Sequence, residues 1–188
     1  MQRVLNVQSV VLKLRQALPQ IQGARKVLVT APPTLINHVS LYLVCAPIHS
    51  GAGKVLFLSV DRPNQSLARL FDRHCNGGPQ VLFANPEMDP PQSGDVSCVS
   101  GLFAPKLMVD ALGQLASSPD MRPSMVVGNL SALGFYNSND RVKEFLRKID
   151  DKLREQAIAK VVLVTDRTSS YILSLAREFS EKEVDLSG

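Results

Sequence analysis

The sequence predicts an α/β fold, a three-layer α/β/α sandwich built on a mainly parallel sheet. Three observations predict it. Five short runs rich in Val and Leu alternate with segments of helical period, the order that right-handed crossovers turn into a parallel sheet. The runs are continuously apolar rather than alternating, as strands are when helices cover both faces. The chain has 188 residues, 45% of them hydrophobic, enough to bury a core and matching a single domain over residues 1–188.

The elements follow in order. Residues 4–18 read as a leading helix, with Leu5, Val7, Val11, Leu14 and Leu18 on its apolar side. Residues 26–30 (KVLVT) are the first strand, closed by Ala31-Pro32-Pro33. Residues 34–46 (TLINHVSLYLVCA) carry no charged side chain and are apolar on nearly every face, which predicts a buried helix. A glycine-rich turn at 50–53 leads to the second strand, 54–60 (KVLFLSV). Asp61-Arg62-Pro63-Asn64 breaks it, and residues 65–75 read as a helix with Leu67, Leu70 and Phe71 on one side. The third strand is 80–84 (QVLFA). Residues 85–100 turn rich in Pro and small polar residues, which predicts a loop holding a short strand near 96–99.

Residues 104–117 place Leu107, Met108, Ala111, Leu112 and Leu115 at helical spacing. Residues 124–128 (SMVVG) are the fourth strand. Ser138, Asn139 and Asp140 are N-cap residues for a long helix to about 159, with Val142, Phe145, Leu146, Ile149, Leu153 and Ala157 as its apolar stripe. Residues 160–165 (KVVLVT) are the fifth strand, and 169–183 the last helix, turning Ile172, Leu173, Leu175, Ala176 and Phe179 inward.

Composition narrows the function classes. There are 21 Lys and Arg against 17 Asp and Glu, a net charge of +4. The first sixty residues hold Arg3, Lys13, Arg15, Arg25, Lys26 and Lys54 and no acid. Such a segment suits nucleic acid, an anionic surface or an acidic partner, or serves as solubilising surface. Aromatic residues are only 5%, so there is no stacking platform for single strands. The three cysteines, Cys45, Cys75 and Cys98, share no CxxC spacing. That excludes a disulfide-rich scaffold and argues for a reducing compartment, with Cys45 as a small apolar residue of a buried helix. His38, His49 and His74 form no ligand pair with them at zinc spacing, and neither GxSxG nor GxGxxG occurs. The most apolar stretch, 39–48, is too short for the roughly 20 residues a membrane span needs. The first twenty residues lack a signal-peptide cleavage site. A cytoplasmic protein is expected, with no membrane contact and no metal.

Four segments carry a family resemblance. VLVTAPP at 27–33, GKVLFLSVDRP at 53–63, MVVGNLSAL at 125–133 and KVVLVTDR at 160–167 resemble the core of RecA/KaiC-like P-loop ATPases, more narrowly the archaeal, signal-transduction-associated branch whose nucleotide motifs are often eroded. The resemblance spans roughly residues 20–180 and implies a RecA-like sheet, with the site beyond the carboxyl ends of the strands. It directs attention to 30–34, 59–62, 85–87, 128–131 and 165–167.

The phosphate motif implied by the resemblance, GxxxxGK[ST], falls on residues 31–38. Its glycines let backbone N–H groups wrap phosphate, its Lys neutralises charge and its hydroxyl holds magnesium. Here Ala31 and Ile36 stand at the glycine positions, Asn37 at the Lys and His38 at the hydroxyl, with Pro32, Pro33 and Thr34 between. The two prolines have no N–H to give. The magnesium-ordering Asp at the end of the fourth strand is replaced by Gly128, followed by Asn129. After the second strand, where the resemblance implies a catalytic acid, stand Asp61 and Arg62. Asp61 is placed to polarise a water, to cap the next helix or to pair with Arg62. Asp166 and Arg167 end the fifth strand, and Arg62 with Arg167 form either an anion site or a pair of solvated charges.

Without those groups, phosphoryl transfer lacks its main charge stabilisation. The resulting expectation is a degenerate, non-catalytic RecA/KaiC-like domain with regulatory or protein-interaction function and no ATP or magnesium cofactor. Its partner is another protein or a second copy, met through the leading helix or the charged helix at 140–159. Two alternatives stand beside it: an atypical nucleotide-binding ATPase using Asp61 and Arg167, and a nucleic-acid binder using the basic first sixty residues.

Overall fold

A computed structural model describes residues 7–46, 55–59, 81–84, 98–99 and 123–187. In chain order these form α1 (Val7–Gly23), β1 (Lys26–Thr30), a 3-10 turn (Pro33–Leu35), α2 (Ile36–Cys45), β2 (Val55–Ser59), β3 (Val81–Ala84), β4 (Cys98–Val99), β5 (Ser124–Gly128), α3 (Leu130–Tyr136), α4 (Asn139–Arg154), β6 (Lys160–Thr165), α5 (Ser170–Phe179) and β7 (Lys182–Asp185). The strands form one sheet of order β4-β3-β2-β5-β6-β1-β7, and every neighbouring pair is parallel. The three-layer α/β/α sandwich is therefore as expected. The helices expected at 65–75 and 104–117, the loop at 85–97 and the turn at 50–53 lie outside the described residues.

The side chains of β1, β2, β5 and β6 divide between the two faces with the period of two that extended backbone imposes. Val27, Val29, Val55, Phe57, Val126, Val162 and Val164 face a core shared with Val10, Leu14 and Ile21 of α1 and with Val39 and Leu43 of α2. Leu28, Leu56, Met125, Val127, Val161 and Leu163 face a second core with Leu133 of α3, Phe145 and Ile149 of α4, and Ile172 and Ala176 of α5. Each of these side chains is nearly fully buried, a contribution of about 1.5–3 kcal/mol for each Val, Leu, Ile, Phe and Met and less for Ala176. The continuous apolar strands are the direct signature of this two-sided burial.

Five expectations need correction. The charged helix expected to reach about 159 ends at Arg154, and beyond it Gln156 takes a positive φ of 61° and Ile158 is buried in place of a further helical turn. The leading helix does not stop at Leu18 but runs through Pro19 to Gly23, because Ile21 continues the buried stripe of Val10, Leu14 and Ala17. Its last carbonyls are satisfied from outside. Lys160, buried at the start of β6, donates Nζ to the carbonyls of Ile21 at 2.6 Å and Gln22 at 2.8 Å, as a cation at a helix C-terminus should. Burial pushes the Lys160 ammonium below the ordinary lysine range. The last helix ends at Phe179 rather than 183, and the chain adds a seventh strand, β7, parallel to β1. Val184 and Leu186 are buried there, and Arg177 grips Glu183 through paired hydrogen bonds. Between β5 and α4 a short helix, α3, forms around Leu130 and Leu133. Finally, Cys45 is disulfide-bonded rather than free. The odd cysteine count excluded a scaffold of several bridges but not a single bridge, so it carries no argument about compartment.

Candidate functional site

The carboxyl ends of β2, β5, β6 and β1 lie side by side, which brings residues 30–38, 128–131 and 165–168 to one edge of the sheet. Asp61 and Arg62 lie outside the described residues.

After β1 the chain does not open into a loop. Ala31 N–H donates to the Thr165 carbonyl at 3.0 Å, and Leu35 N–H closes a tight turn on the Pro32 carbonyl at 2.8 Å. Pro32 holds φ −57° and ψ 141°, and Pro33 opens the 3-10 turn that runs into α2. Pro at that position is favoured because its missing N–H has no intrahelical partner. The side chains at the two aligned glycine positions, Ala31 and Ile36, point inward and are buried with Leu35 in the core beneath α1 and α2. His38, aligned with the magnesium-binding hydroxyl, is exposed and lines the groove between α1 and α2 together with Val7, Val11 and Tyr42. Pro33 and Thr34 are also exposed. Residues 31–38 contain no cation.

After β5, Gly128 sits where the resemblance places an acid. A Cβ built there would lie 2.9 Å from Cε2 of Phe57, 3.1 Å from its Cζ and 3.2 Å from Oγ of Ser40. The position is therefore closed by the β2 ring and by α2. Ser40 is 1% exposed and its hydroxyl has no hydrogen-bond partner among the described residues. Neither Phe57 nor Ser40 is singled out by the sequence. The available signal is Ser40 as a polar residue on the apolar side of a nearly all-apolar helix. Asn129 adopts the left-handed conformation (φ 60°, ψ 66°) and its side chain accepts from Ala132 N–H at 3.1 Å, capping α3.

After β6 the polar groups satisfy one another. Ser131 Oγ donates to Asp166 Oδ1 at 2.8 Å and lies 2.7 Å from the Thr165 hydroxyl. Because the single Ser131 proton goes to the carboxylate, Thr165 must be the donor to Ser131. Asp166 also accepts from Thr168 N–H at 2.9 Å and from the Thr168 hydroxyl. Arg167 pairs with Asp185 of β7. Asp185 further accepts from Thr30 at 2.8 Å and Ser187 N–H at 2.9 Å. Burial works to raise the Asp185 carboxyl, but the donors of Ser187 and Thr30 and the Arg167 charge together hold it below the ordinary range. The aligned residues are thus split. Asp166 and Arg167 join a latch of internal hydrogen bonds and an ion pair, Gly128 and Asn129 serve packing and capping, and residues 31–36 belong to the core and to the turn that leads into it. Among the described residues no cluster of His, Cys, Asp or Glu could hold a metal ion, and no helix is long and apolar enough to cross a membrane.

No protein-family model and no curated protein matches the sequence. Among solved structures, the chain is similar to a KaiC-like protein from the hyperthermophilic archaeon Pyrococcus horikoshii OT3, at 12% identity and a TM-score of 0.57, covering 87% of this chain and 73% of that one. A DnaB-like replicative helicase, known with its primase interactions, also matches at 10% identity and a TM-score of 0.48, over 76% of this chain. The matched part is 38% of the helicase chain. The likeness to the KaiC-like protein identifies the fold as a RecA-like α/β sandwich.

Proposed function

We propose that this chain is a RecA/KaiC-like domain that does not hydrolyse ATP and acts through contact with another protein or with copies of itself. The observation that carries the reading is the β1–α2 connection. A phosphate cradle needs glycine-rich backbone with inward N–H groups and a facing cation. Here the same stretch is a 3-10 turn whose side chains Ala31, Leu35 and Ile36 fill the core, with Asn37 where the cation would stand.

A magnesium nucleotide does not fit these residues. The position of the magnesium-ordering acid is Gly128, and the Phe57 ring and Ser40 leave no room for a side chain there. The one cation at the described strand ends, Arg167, is paired with Asp185. Removing a single such group commonly slows phosphoryl chemistry by about a hundredfold or more, and here several are absent together. The archaeal, signal-transduction-associated assignment and a cytoplasmic location belong to the same proposal.

Phosphate release tests the reading. The intact chain with magnesium and ATP should release none above the buffer rate, and Asp61→Ala should change nothing. Turnover by the intact chain that Asp61→Ala abolishes would replace this reading with the atypical ATPase.

A further inference from the structure

β7 is an edge strand held by what the rest of the fold offers it. Its sequence, KEVD, is poor strand material, since Lys, Glu and Asp are depleted in strands. Residues 181–186 nevertheless alternate in kind, with acids at 181, 183 and 185 and apolar side chains at 184 and 186. Val184 and Leu186 are buried in the core that α1 shares. Each acid is met by a different part of the fold. Glu181, just before β7, accepts from the Arg25 backbone N–H at 3.0 Å. Glu183 accepts from the Arg177 guanidinium of α5 at 2.9 and 3.0 Å. Asp185 accepts from Arg167 and from the Thr30 hydroxyl. The backbone adds its own grip. Glu181 N–H donates to the Lys26 carbonyl at 2.9 Å, and Leu186 N–H donates to the Thr30 carbonyl at 2.8 Å.

We infer that β7 is the built-in occupant of a docking edge, and that the β1 edge beneath it takes, in parallel, a strand of a partner protein. The partner strand carries the pattern acid, any residue, acid, apolar, acid, apolar. This inference deepens the protein-contact role proposed above and rests on it. The edge is equipped for such a strand. Main-chain bonds along β1 supply affinity, and alternate side-chain positions supply specificity, as in strand addition to a sheet edge. Charge selects the partner, because Arg167 and Arg177 attract an acidic strand and repel a basic one. β7 is also able to yield its place. It pairs with a strand on one side only, and its two ion pairs are partly exposed, where such pairs hold weakly. Lifting it uncovers only Val184 and Leu186 of the first core. Ser180 and Glu181 alone join β7 to α5, so β7 stays at high effective concentration and a partner strand must compete with it.

Fluorescence anisotropy of a labelled peptide of residues 180–187, titrated with the intact chain, tests this. Wild type should bind the peptide weakly. Glu183→Lys combined with Asp185→Lys drives β7 away from Arg177 and Arg167 and leaves the β1 edge unchanged. That double variant should bind the peptide at least about tenfold more tightly than wild type. Its binding should weaken as salt rises and should be lost when Arg177→Ala is added. A peptide with its three acids changed to lysine should not bind. Asp185→Asn serves if the double variant fails to fold, and should tighten binding by a smaller factor. A folded, loosened variant that binds the peptide no better than wild type overturns the inference, and so does equal binding of the lysine peptide. Neither result alters the expected lack of ATP turnover, and ATP turnover by the intact chain would leave the peptide measurements standing, so the two claims fail separately.

Discussion

Two turns at the same edge of the sheet are built from opposite materials. Beyond β1 the chain passes through Ala31, Leu35 and Ile36, all buried against the helices of one face. Beyond β6 it passes through Thr165, Asp166, Arg167 and Thr168, whose polar groups are consumed by Ser131, Asp185 and each other. The first turn is stabilised by apolar burial, which tolerates no polar or missing side chain. The second is stabilised by hydrogen bonds whose loss leaves a buried acceptor or donor. Both leave little at the strand ends to greet a ligand: one is packed and the other is internally satisfied. Under the function proposed above, the RecA-like sheet keeps its strand order while these two turns are taken up by packing and by internal hydrogen bonds.

The comparison can be broken by substitution. The largest effect is expected at Gly128→Asp, which restores the acid that the resemblance implies. Its carboxylate would be driven against the Phe57 ring and Ser40, and a buried unpaired charge costs about 3–5 kcal/mol. Urea unfolding should show a large fall in midpoint, and a variant as stable as wild type would mean the position is open. Ile36→Ala comes next. It leaves a hollow in the first core at a cost of about 3 kcal/mol, whereas the same change in a working phosphate loop would be felt in ligand binding rather than stability. Ser131→Ala should cost about 1–3 kcal/mol, since it strips a donor from Asp166 and an acceptor from Thr165. Asn129→Gly should lose only a few tenths of a kcal/mol, because glycine also caps helices and adopts the left-handed conformation freely. Asn129→Ala should lose more.

Acid should separate the turns as well. The Asp185 carboxyl sits below its ordinary range when folded, so the folded state binds its proton less readily than the unfolded chain does. Its contribution is present above the unfolded carboxylate range and disappears as pH falls through the folded value. Unfolding midpoints across that window should drop for wild type and drop less steeply for Asp185→Asn, while Ile36→Ala should keep the wild-type slope.

Much of this was legible in the sequence, and the exceptions have identifiable causes. The strands at 26–30, 124–128 and 160–165 are runs of Val, Leu and Met buried on both sides, and periodicity finds such runs directly. β7 was hidden because KEVD has one buried residue, Val184, and three exposed ones, so its strand character comes from pairing with β1 rather than from its own side chains. The last turn of α1 was hidden by Pro19, whose breaking tendency is outweighed by Ile21 and by Lys160 from a strand 139 positions away in sequence. At the site, Gly128, Asn129, Asp166 and Arg167 could be placed by alignment with strand ends. What closes it, Phe57 and Ser40 over Gly128 and Asp185 over Arg167, depends on contacts between distant segments that no local pattern announces.

The central claim is that the connection after β1 is packed core and not a phosphate cradle. Calorimetric titration of the intact chain with magnesium and a non-hydrolysable ATP analogue tests it most directly. The account predicts no saturable heat and no rise in unfolding temperature. A saturable, magnesium-dependent heat that Gly128→Asp or a substitution within residues 31–38 changes would contradict it.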